Sequence, residues 1–403
     1  MIRRNRLIKM NNTRHDDEHF MAQALRLAEK GLYTTQPNPR VGCVLVCDGV
    51  QVAAGYHLKD GQGHAEAIAL AELEHHLANA EVNTEAPITA YVTLEPCSFQ
   101  GRTPSCAHAL VKAGVDRVVY AMTDPHPDNR GKGLDVLRAA GIKVDGPLME
   151  TSARLLNPGH IKKFEQGLPY VRLKLAMSLD GKTALKNGES QWITGPDARK
   201  DVQKLRARSS AIVTGVQTVI DDDPQLTVRA DDLNVDFADL SATVKREIVV
   251  LDSNLNIPAD ASVLKNPNTI LVCVDQAYQA SAGETTEAGD KSFLGTRLWY
   301  TEANADGRVD LHSVLRQLAK AGCNEVLFEC GATLAGALMS ARLVDEVIVY
   351  MAPKLMGNEA KSLLNFASPD NMRDLVELEI KDIRQLGKDL RVTAQISPAV
   401  GEG

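Results

Sequence analysis

Twice along this chain, strand-like and helix-like segments alternate, and that repeated alternation limits the possible folds more than any composition does. From residue 15 to about 148, "HFMAQALRLAEKG" repeats apolar residues at helical spacing and stops at Gly31. "VGCVLVCDGVQVAAGY" reads as two strands turning at Asp48-Gly49, a dipeptide suited to a tight hairpin. A helix beginning near His64 follows, then strand "ITAYVTL", helix "PSCAHALVKAG", strand "DRVVYAM", helix "GLDVLRAAG" and the short strand "IKV". The alternation restarts at "LPYVRLKLAMSLDGKTA". It runs through helix "PDARKDVQKLRA", strands "SAIVTG", "REIVVLD" and "NTILVCV", helix "LHSVLRQLAKAG", strand "EVLFE", helix "ATLAGALMSARL", strand "DEVIVYMAP" and a closing strand pair. Between the two runs, "LLNPGHIKKFEQGLP" is turn-rich and amphipathic. This pattern predicts a basic extension at 1–14, an α/β domain at 15–148, a linker at 149–168 and a second α/β domain at 169–403. The polar stretch "SAGETTEAGDKS" reads as an exposed loop.

A chain of 403 residues is long enough for two domains with separate cores. A formal charge of -7 and an aromatic content of 4% count against a basic, aromatic-lined groove for nucleic acid. The basic N-terminal residues lack the apolar core of a secretory signal, and no apolar run reaches the length of a membrane span. Seven cysteines, an odd number, point to reduced thiols and a cytoplasmic setting.

Some of those thiols carry a motif. "HAEAIALAEL" places His64 and Glu66 two residues apart at a helix start, and "TLEPCSFQGRTPSC" places Cys97 after a strand and Cys106 at the next helix start. One imidazole and two thiolates make a three-ligand zinc site with an open position for water. Zinc lowers the pKa of that water, and Glu66 is placed to take its proton and pass it to a leaving amine. The order H-x-E, then P-C and a second cysteine, is the zinc nucleobase-deaminase pattern, although the usual spacing between the cysteines is two residues and here it is eight. A structural zinc site would need a fourth ligand; His57, His108 and His126 are candidates by type alone. Cys43 and Cys47 read as small buried core residues.

Taken together, "TTQPNPRVGCVLV", "HAEAIAL", "YVTLEPCSFQGRTPSC" and "GKGLDVLRAAGI" resemble the deaminase half of the bifunctional riboflavin-biosynthesis deaminase/reductase family. "LKLAMSLDGKTA", "GESQWITG", "TGVQTVIDDDPQLTVR" and "ECGATLAGALM" resemble its reductase half, in the same order, from about His15 to near Ile396. The cysteines match the longer spacing of that family. The resemblance implies a cytidine-deaminase-like three-layer α/β domain followed by a dihydrofolate-reductase-like domain, working as a homodimer. It implies zinc-dependent hydrolysis of the 2-amino group of 2,5-diamino-6-(5-phosphoribosylamino)pyrimidin-4-one, then NADPH-dependent reduction of the ribosyl group to ribityl. Zinc is then held by His64, Cys97 and Cys106, Glu66 is the proton donor, and Asn38 in the "PNP" turn contacts the pyrimidine.

In the second half, the same resemblance assigns Ala176, Trp192, Thr218 and Asp222 to the cofactor, and Ser190, Arg206, Leu226, Arg229 and Glu329 to the substrate. Gly331, Ala332, Thr333, Leu334, Ala335, Gly336 and Ala337 become a cradle for the NADPH phosphates at a helix start. Bland readings stand beside these: tight strand-helix packing for the glycines, a solvated basic helix for Arg206, a core aromatic for Trp192 and an acidic turn for Asp221 to Asp223. Lys174, a cation in the largely apolar strand "VRLKLAM", is either a proton donor or electrostatic support for hydride transfer, or an edge-strand lysine facing solvent. Phe99 and Ser105 depart from the family, where many members carry histidine and proline.

Overall fold

The computed structural model describes residues 2–79, 86–99, 105–280 and 291–397, with side chains from residue 15 onward. Two compact units divide the chain, Met1–Gln166 and Gly167–Gly403.

In the first unit the chain runs through α1 (Ile2–Glu29), β1 (Gly42–Cys47), β2 (Val50–Tyr56), α2 (Ala65–Ala78), β3 (Ile88–Val92), α3 (Cys106–Lys112), β4 (Arg117–Tyr120), α4 (Lys132–Ala139), β5 (Lys143–Asp145), α5 (Glu150–Leu156) and α6 (Pro158–Gln166). The sheet order is β2-β1-β3-β4-β5, with β1 antiparallel to both neighbours and β3, β4 and β5 parallel. Asp48 and Gly49 both have positive φ, 50° and 75°, which gives the hairpin a twist that matches its strands. Every residue of β1 is buried, because helices cover both faces of the sheet. Cys43 and Leu45 face Ala65, Ala69 and Leu110 on α2 and α3, whereas Val44 and Val46 face Phe20, Ala24, Ala153 and Ile161 on α1, α5 and α6. The result is the expected three layers. The stretch 149–168, read from sequence as a linker, is folded into α5 and α6, whose Ala153 and Ile161 are buried in the first unit. Its Asn157-Pro158 turn is a break between two short helices, whose amphipathic pattern packs against the first unit.

The second unit contains β6 (Tyr170–Ser178), β7 (Lys182–Ala184), α7 (Pro196–Ala207), β8 (Ala211–Gly215), α8 (Val216–Asp222), α9 (Ala238–Thr243), β9 (Glu247–Leu251), β10 (Thr269–Val274) and α10 (Asp275–Ala280). It continues with β11 (Ser292–Phe293), β12 (Thr296–Thr301), α11 (Leu311–Lys320), β13 (Glu325–Glu329), α12 (Ala332–Ser340), β14 (Glu346–Ala352), β15 (Lys361–Ser362), β16 (Leu378–Leu386) and β17 (Asp389–Ile396). Ten strands form one sheet in the order β11-β12-β10-β9-β8-β13-β6-β14-β17-β16. The seven strands from β12 to β14 are parallel, so their carboxyl ends share one edge of the sheet. Their continuous apolar runs, such as "TILVCV" and "EIVVL", are buried throughout, as two helix-covered faces require. Most of the polar stretch after Ala280 lies outside the described residues; β11 begins at its end, at Ser292. No helix among the described residues is long and apolar enough to cross a membrane.

Candidate functional site

In the first unit, strand ends and helix starts bring three soft or borderline ligand groups together. His64 is the N-cap of α2, Cys97 follows β3, and Cys106 is the first residue of α3. His64 Nδ1 lies 3.3 Å from Cys106 Sγ and 3.7 Å from Cys97 Sγ, and the three donor atoms lie within 4.8 Å of one another. Two glycines make this approach possible. A Cβ on Gly55 would meet the Ala65 carbonyl at 2.3 Å, so its absence seats the start of α2 on β2. A Cβ on Gly133 would meet the Pro96 carbonyl at 1.9 Å, so α4 presses directly against the residue before Cys97.

Behind Cys97, the Glu95 carboxylate accepts the backbone N–H groups of Asp124, Gly131 and Gly133 at 3.0–3.2 Å, and Asn129 accepts the Ser98 N–H at 2.8 Å. Ser105 ties the two cysteines together. Its Oγ donates to the Cys97 carbonyl at 2.8 Å while its side chain caps α3, the helix that begins with Cys106. Phe99 stands half exposed with its ring 6.2 Å from that of His126.

The ligand atoms fit zinc by chemistry and spacing: two sulfurs and an imidazole nitrogen, close enough to share one tetrahedral ion. The Cys106 hydrogen bond holds the Cys97 thiol far down, while that contact and burial push Cys106 up. Glu66 is only 3% exposed, and burial followed by the neighbouring Cys97 pushes its carboxyl up to about 7 without a metal charge beside it. A carboxyl near neutrality can both take and give a proton.

None of the three histidines considered as a fourth ligand joins the cluster of His64, Cys97 and Cys106. His108 Nδ1 pairs with Ser105 Oγ at 2.9 Å, and His126 packs 4.3 Å from the Phe164 ring. His57 does something else. Its Nδ1 bonds the Gly63 carbonyl at 3.1 Å, its Nε2 meets Asn38 Nδ2 at 3.1 Å, and its ring stands edge-on to His64 at 5.6 Å. Burial lowers its pKa, which keeps the ring neutral and able to fix Asn38 beside the ligand histidine. Asn38 also donates to Asp60 at 3.0 Å. Sequence reading singled out Asn38 and missed this role for His57, because the turn between β2 and α2 carries no spacing signal.

In the second unit, a cavity of about 1110 Å³ opens along the carboxyl ends of the parallel strands, where open α/β sheets bind ligands. Lys174, Ala176, Ser190, Trp192, Arg206, Thr218, Asp222, Leu226, Arg229 and Glu329 all line it. So do Gly331, Ala332, Thr333, Leu334 and Ala337 at the start of α12. Gly331 is the N-cap, and no atom lies within 4 Å of where its Cβ would be, so the backbone is open to a ligand phosphate. Ala335 and Gly336 are not in the lining. Ala335 turns into the core, and Gly336 lies against the Asn365 backbone, whose carbonyl a Cβ would meet at 1.9 Å. A helix shows only one side to the cavity, so the seven-residue cradle expected from sequence presents a subset.

Arg206 forks onto Glu329, Nε to Oε1 at 2.5 Å and Nη2 to Oε2 at 3.0 Å, and donates to the Thr227 carbonyl at 3.1 Å. Lys174 is no edge-strand residue: β6 lies between β13 and β14, and Lys174 Nζ is 3.9 Å from Glu329 Oε2. Burial lowers the Lys174 pKa against the pull of Glu329. Burial also pushes the Glu329 carboxyl up, but Arg206 and Lys174 more than reverse this and leave it below its usual range. Trp192 is exposed, with the Arg199 guanidinium 4.5 Å above its ring, so the core-aromatic reading does not hold. Asp222 accepts hydrogen bonds from Ser190 and Gln191 at 3.3 and 3.2 Å. Arg229 pairs with Asp232 at 2.6 Å.

A metal-activating deaminase unit ahead of a reductase unit with a dinucleotide-sized cleft is the class that these two sites define. Residues 14–122 match the model of the cytidine and deoxycytidylate deaminase zinc-binding region, and residues 169–392 match that of the RibD C-terminal domain. The riboflavin biosynthesis protein RibD of Escherichia coli is 43% identical over 93% of this chain and 98% of its own length, and that of Haemophilus influenzae is 42% identical over 93% and 96%. Among solved structures, Acinetobacter baumannii RibD superposes with a TM-score of 0.82 at 40% identity, over 96% of this chain and 100% of that one. The deaminase/reductase of Thermotoga maritima superposes at 0.78 with 26% identity, over 96% and 100%. The chain belongs to the RibD family of bifunctional riboflavin-biosynthesis enzymes, which join a zinc-dependent deaminase to an NADPH-dependent reductase.

Proposed function

We propose that the residues described above divide two consecutive reactions between the two units. In the first, His64, Cys97 and Cys106 hold the metal, and zinc supplies Lewis-acid activation of water near neutral pH. Glu66 takes a proton from the attacking water and returns it to the departing amino nitrogen of 2,5-diamino-6-(5-phosphoribosylamino)pyrimidin-4-one, so ammonia leaves and a ring carbonyl remains. Asn38, steadied by His57, orients the pyrimidine. The observation that carries this reading is a buried glutamate two residues after the ligand histidine, beside a three-ligand cluster.

In the second unit, Ala176, Trp192, Thr218, Asp222 and the start of α12 hold NADPH, which supplies the hydride. Ser190, Leu226 and Arg229 contact the substrate. Lys174 protonates or electrostatically supports the open-chain ribosyl imine, with Glu329 setting its position and Arg206 holding Glu329. Arg206 therefore reaches the substrate through Glu329 more than through its own fork, of which Nε and Nη2 are already engaged.

We also infer a homodimer acting in the cytoplasm. The edge strand β16 exposes Leu378, Ile380 and Ile383, and all seven cysteines are thiols. Light scattering of the purified chain tests the dimer. The half-reactions test the chemistry separately: ammonia release from the diamino substrate without NADPH, and NADPH oxidation with deaminated product supplied. Failure of either half with zinc bound removes that half of the proposal.

A further inference from the structure

A cation at the adenosine end of the cleft favours a cofactor that carries a 2′-phosphate, and the lysines and arginines of the lining include one candidate for that place. The lysines and arginines of the cavity wall are Lys174, Arg199, Arg206, Arg229, Arg308 and Lys361. Lys174 and Arg206 are engaged with Glu329, Arg199 with Trp192, and Arg229 with Asp232. Lys361 lies on the small β7–β15 pair, its Nζ 3.5 Å from where a Cβ on Gly188 would be. Arg308 stands apart from these, on the loop after β12. It is exposed, and its side chain has no hydrogen-bond or ion-pair partner among the described residues.

Strand order acts as a ruler along this cleft. Lys174 and Ala176 mark β6, and the start of α12 marks β13, one strand away. The loop after β9 lies three strands from β6, about 14 Å at the usual strand spacing, and β12 lies two strands further. A dinucleotide with its reactive ring at β6 and its phosphates at α12 therefore lays its adenosine over the loops that follow β9 and β12.

Those two loops are built and fastened together. Val309 N–H donates to Ser253 Oγ at 3.2 Å, which pins the β12 loop to the β9 loop. The tip is closed by the Asn304 N–H to the Arg308 carbonyl at 2.7 Å, and by the Arg308 N–H to Asn304 Oδ1 at 2.9 Å. Gly307 takes the left-handed φ of +71° that this turn needs. Asp252, at the end of β9, is the kind of residue that binds the 2′-hydroxyl of an unphosphorylated cofactor. Here it is fully buried and accepts the Ile257 N–H at 2.8 Å, shaping the loop from below. Asn254 and Asn256 add exposed amide donors to the same lining, and of the acidic residues on the Arg308 loop, Glu302, Asp306 and Asp310, only Asp306 lines the cavity.

We propose that Arg308 reads the 2′-phosphate of the cofactor and so sets the preference for NADPH over NADH. The proposal rests on the reductase reading above. A guanidinium fork suits a phosphate by charge and by paired hydrogen bonds. The test is direct binding to the full chain by calorimetry, comparing 2′-phospho-ADP-ribose with ADP-ribose, with no turnover involved. Wild type binds the phosphorylated ligand more tightly. Arg308→Ala loses about 10- to 100-fold for that ligand, the range of a charged hydrogen-bonded contact, and leaves ADP-ribose affinity where it was. Arg308→Lys keeps part of the discrimination. If Arg308→Ala retains the wild-type ratio of affinities, the assignment is overturned while the reductase reading stands. If wild type binds neither ligand, the reductase reading fails and this inference with it.

Discussion

Arg206 and Glu329 hold each other across the floor of the reductase cleft through two N–H···O bonds, Nε to Oε1 and Nη2 to Oε2, with both side chains no more than 13% exposed. The family resemblance implies that both are substrate contacts, yet each uses its functional atoms on the other. Removing one partner leaves a buried charge unpaired. Arg206→Ala is expected to cost the second unit about 3–5 kcal/mol in urea unfolding, and Arg206→Lys to recover only part of it because a lysine cannot fork.

The pH dependence of that pair has a definite sign. Glu329 sits below its usual range in the folded chain, so the stability it contributes is present in full above the ordinary carboxylate pKa and is lost as pH falls through its lowered value. The difference in melting temperature between wild type and Glu329→Gln should hold its neutral-pH value down to the ordinary carboxylate pKa and shrink as pH falls below it. A difference that grows on acidification would contradict the pairing.

Glu66→Gln keeps the shape of the buried side chain and removes its proton chemistry. Ammonia release is expected to fall by at least about 100-fold, with zinc content unchanged, because Glu66 is no ligand. NADPH oxidation with supplied deaminated product should remain at the wild-type rate, since Glu66 belongs to the other compact unit.

How much of this was legible beforehand follows from what each residue's signal depends on. His64, Glu66, Cys97 and Cys106 lie at strand ends and helix starts in the order of a zinc deaminase motif, so the cluster could be read from that order, with the long gap between the cysteines matched only by the family resemblance. The parallel strands were equally plain in their apolar runs. Lys174 could not be settled, because whether a strand is central or at an edge depends on long-range order, here β13-β6-β14. Ala335 and Gly336 matched a motif, yet the helix turns these two away from the cleft while the other five residues of the motif line it. His57 and Arg308 sit in turns, and what they face is set by elements far along the chain.

Gly133→Ala tests the backbone contact behind the metal site. Its new Cβ would meet the Pro96 carbonyl at 1.9 Å, so either α4 or the Pro96-Cys97 segment must move. A loss of about 1–3 kcal/mol is expected, together with weaker zinc retention against a chelator. Stability lost with zinc retention unchanged would mean that α4 moves and Cys97 does not.

Lys174→Met keeps the length of the side chain and removes its charge. The reduction rate is expected to drop by at least about 10-fold at saturating NADPH, with deamination unchanged. Reduction at the wild-type rate would show that Lys174 supports Glu329 only.

The central claim is one chain with two active sites used in order, and a single cuvette tests it most directly. Purified protein, the diaminopyrimidine ribosyl phosphate and NADPH are mixed while ammonia release and NADPH absorbance are followed together, with Glu66→Gln run alongside. The account predicts that ammonia appears first and NADPH loss follows. It also predicts that the variant halts both until deaminated product is added, whereupon NADPH loss resumes. NADPH loss without prior ammonia release, or a variant that still consumes NADPH from the diamino substrate, would contradict it.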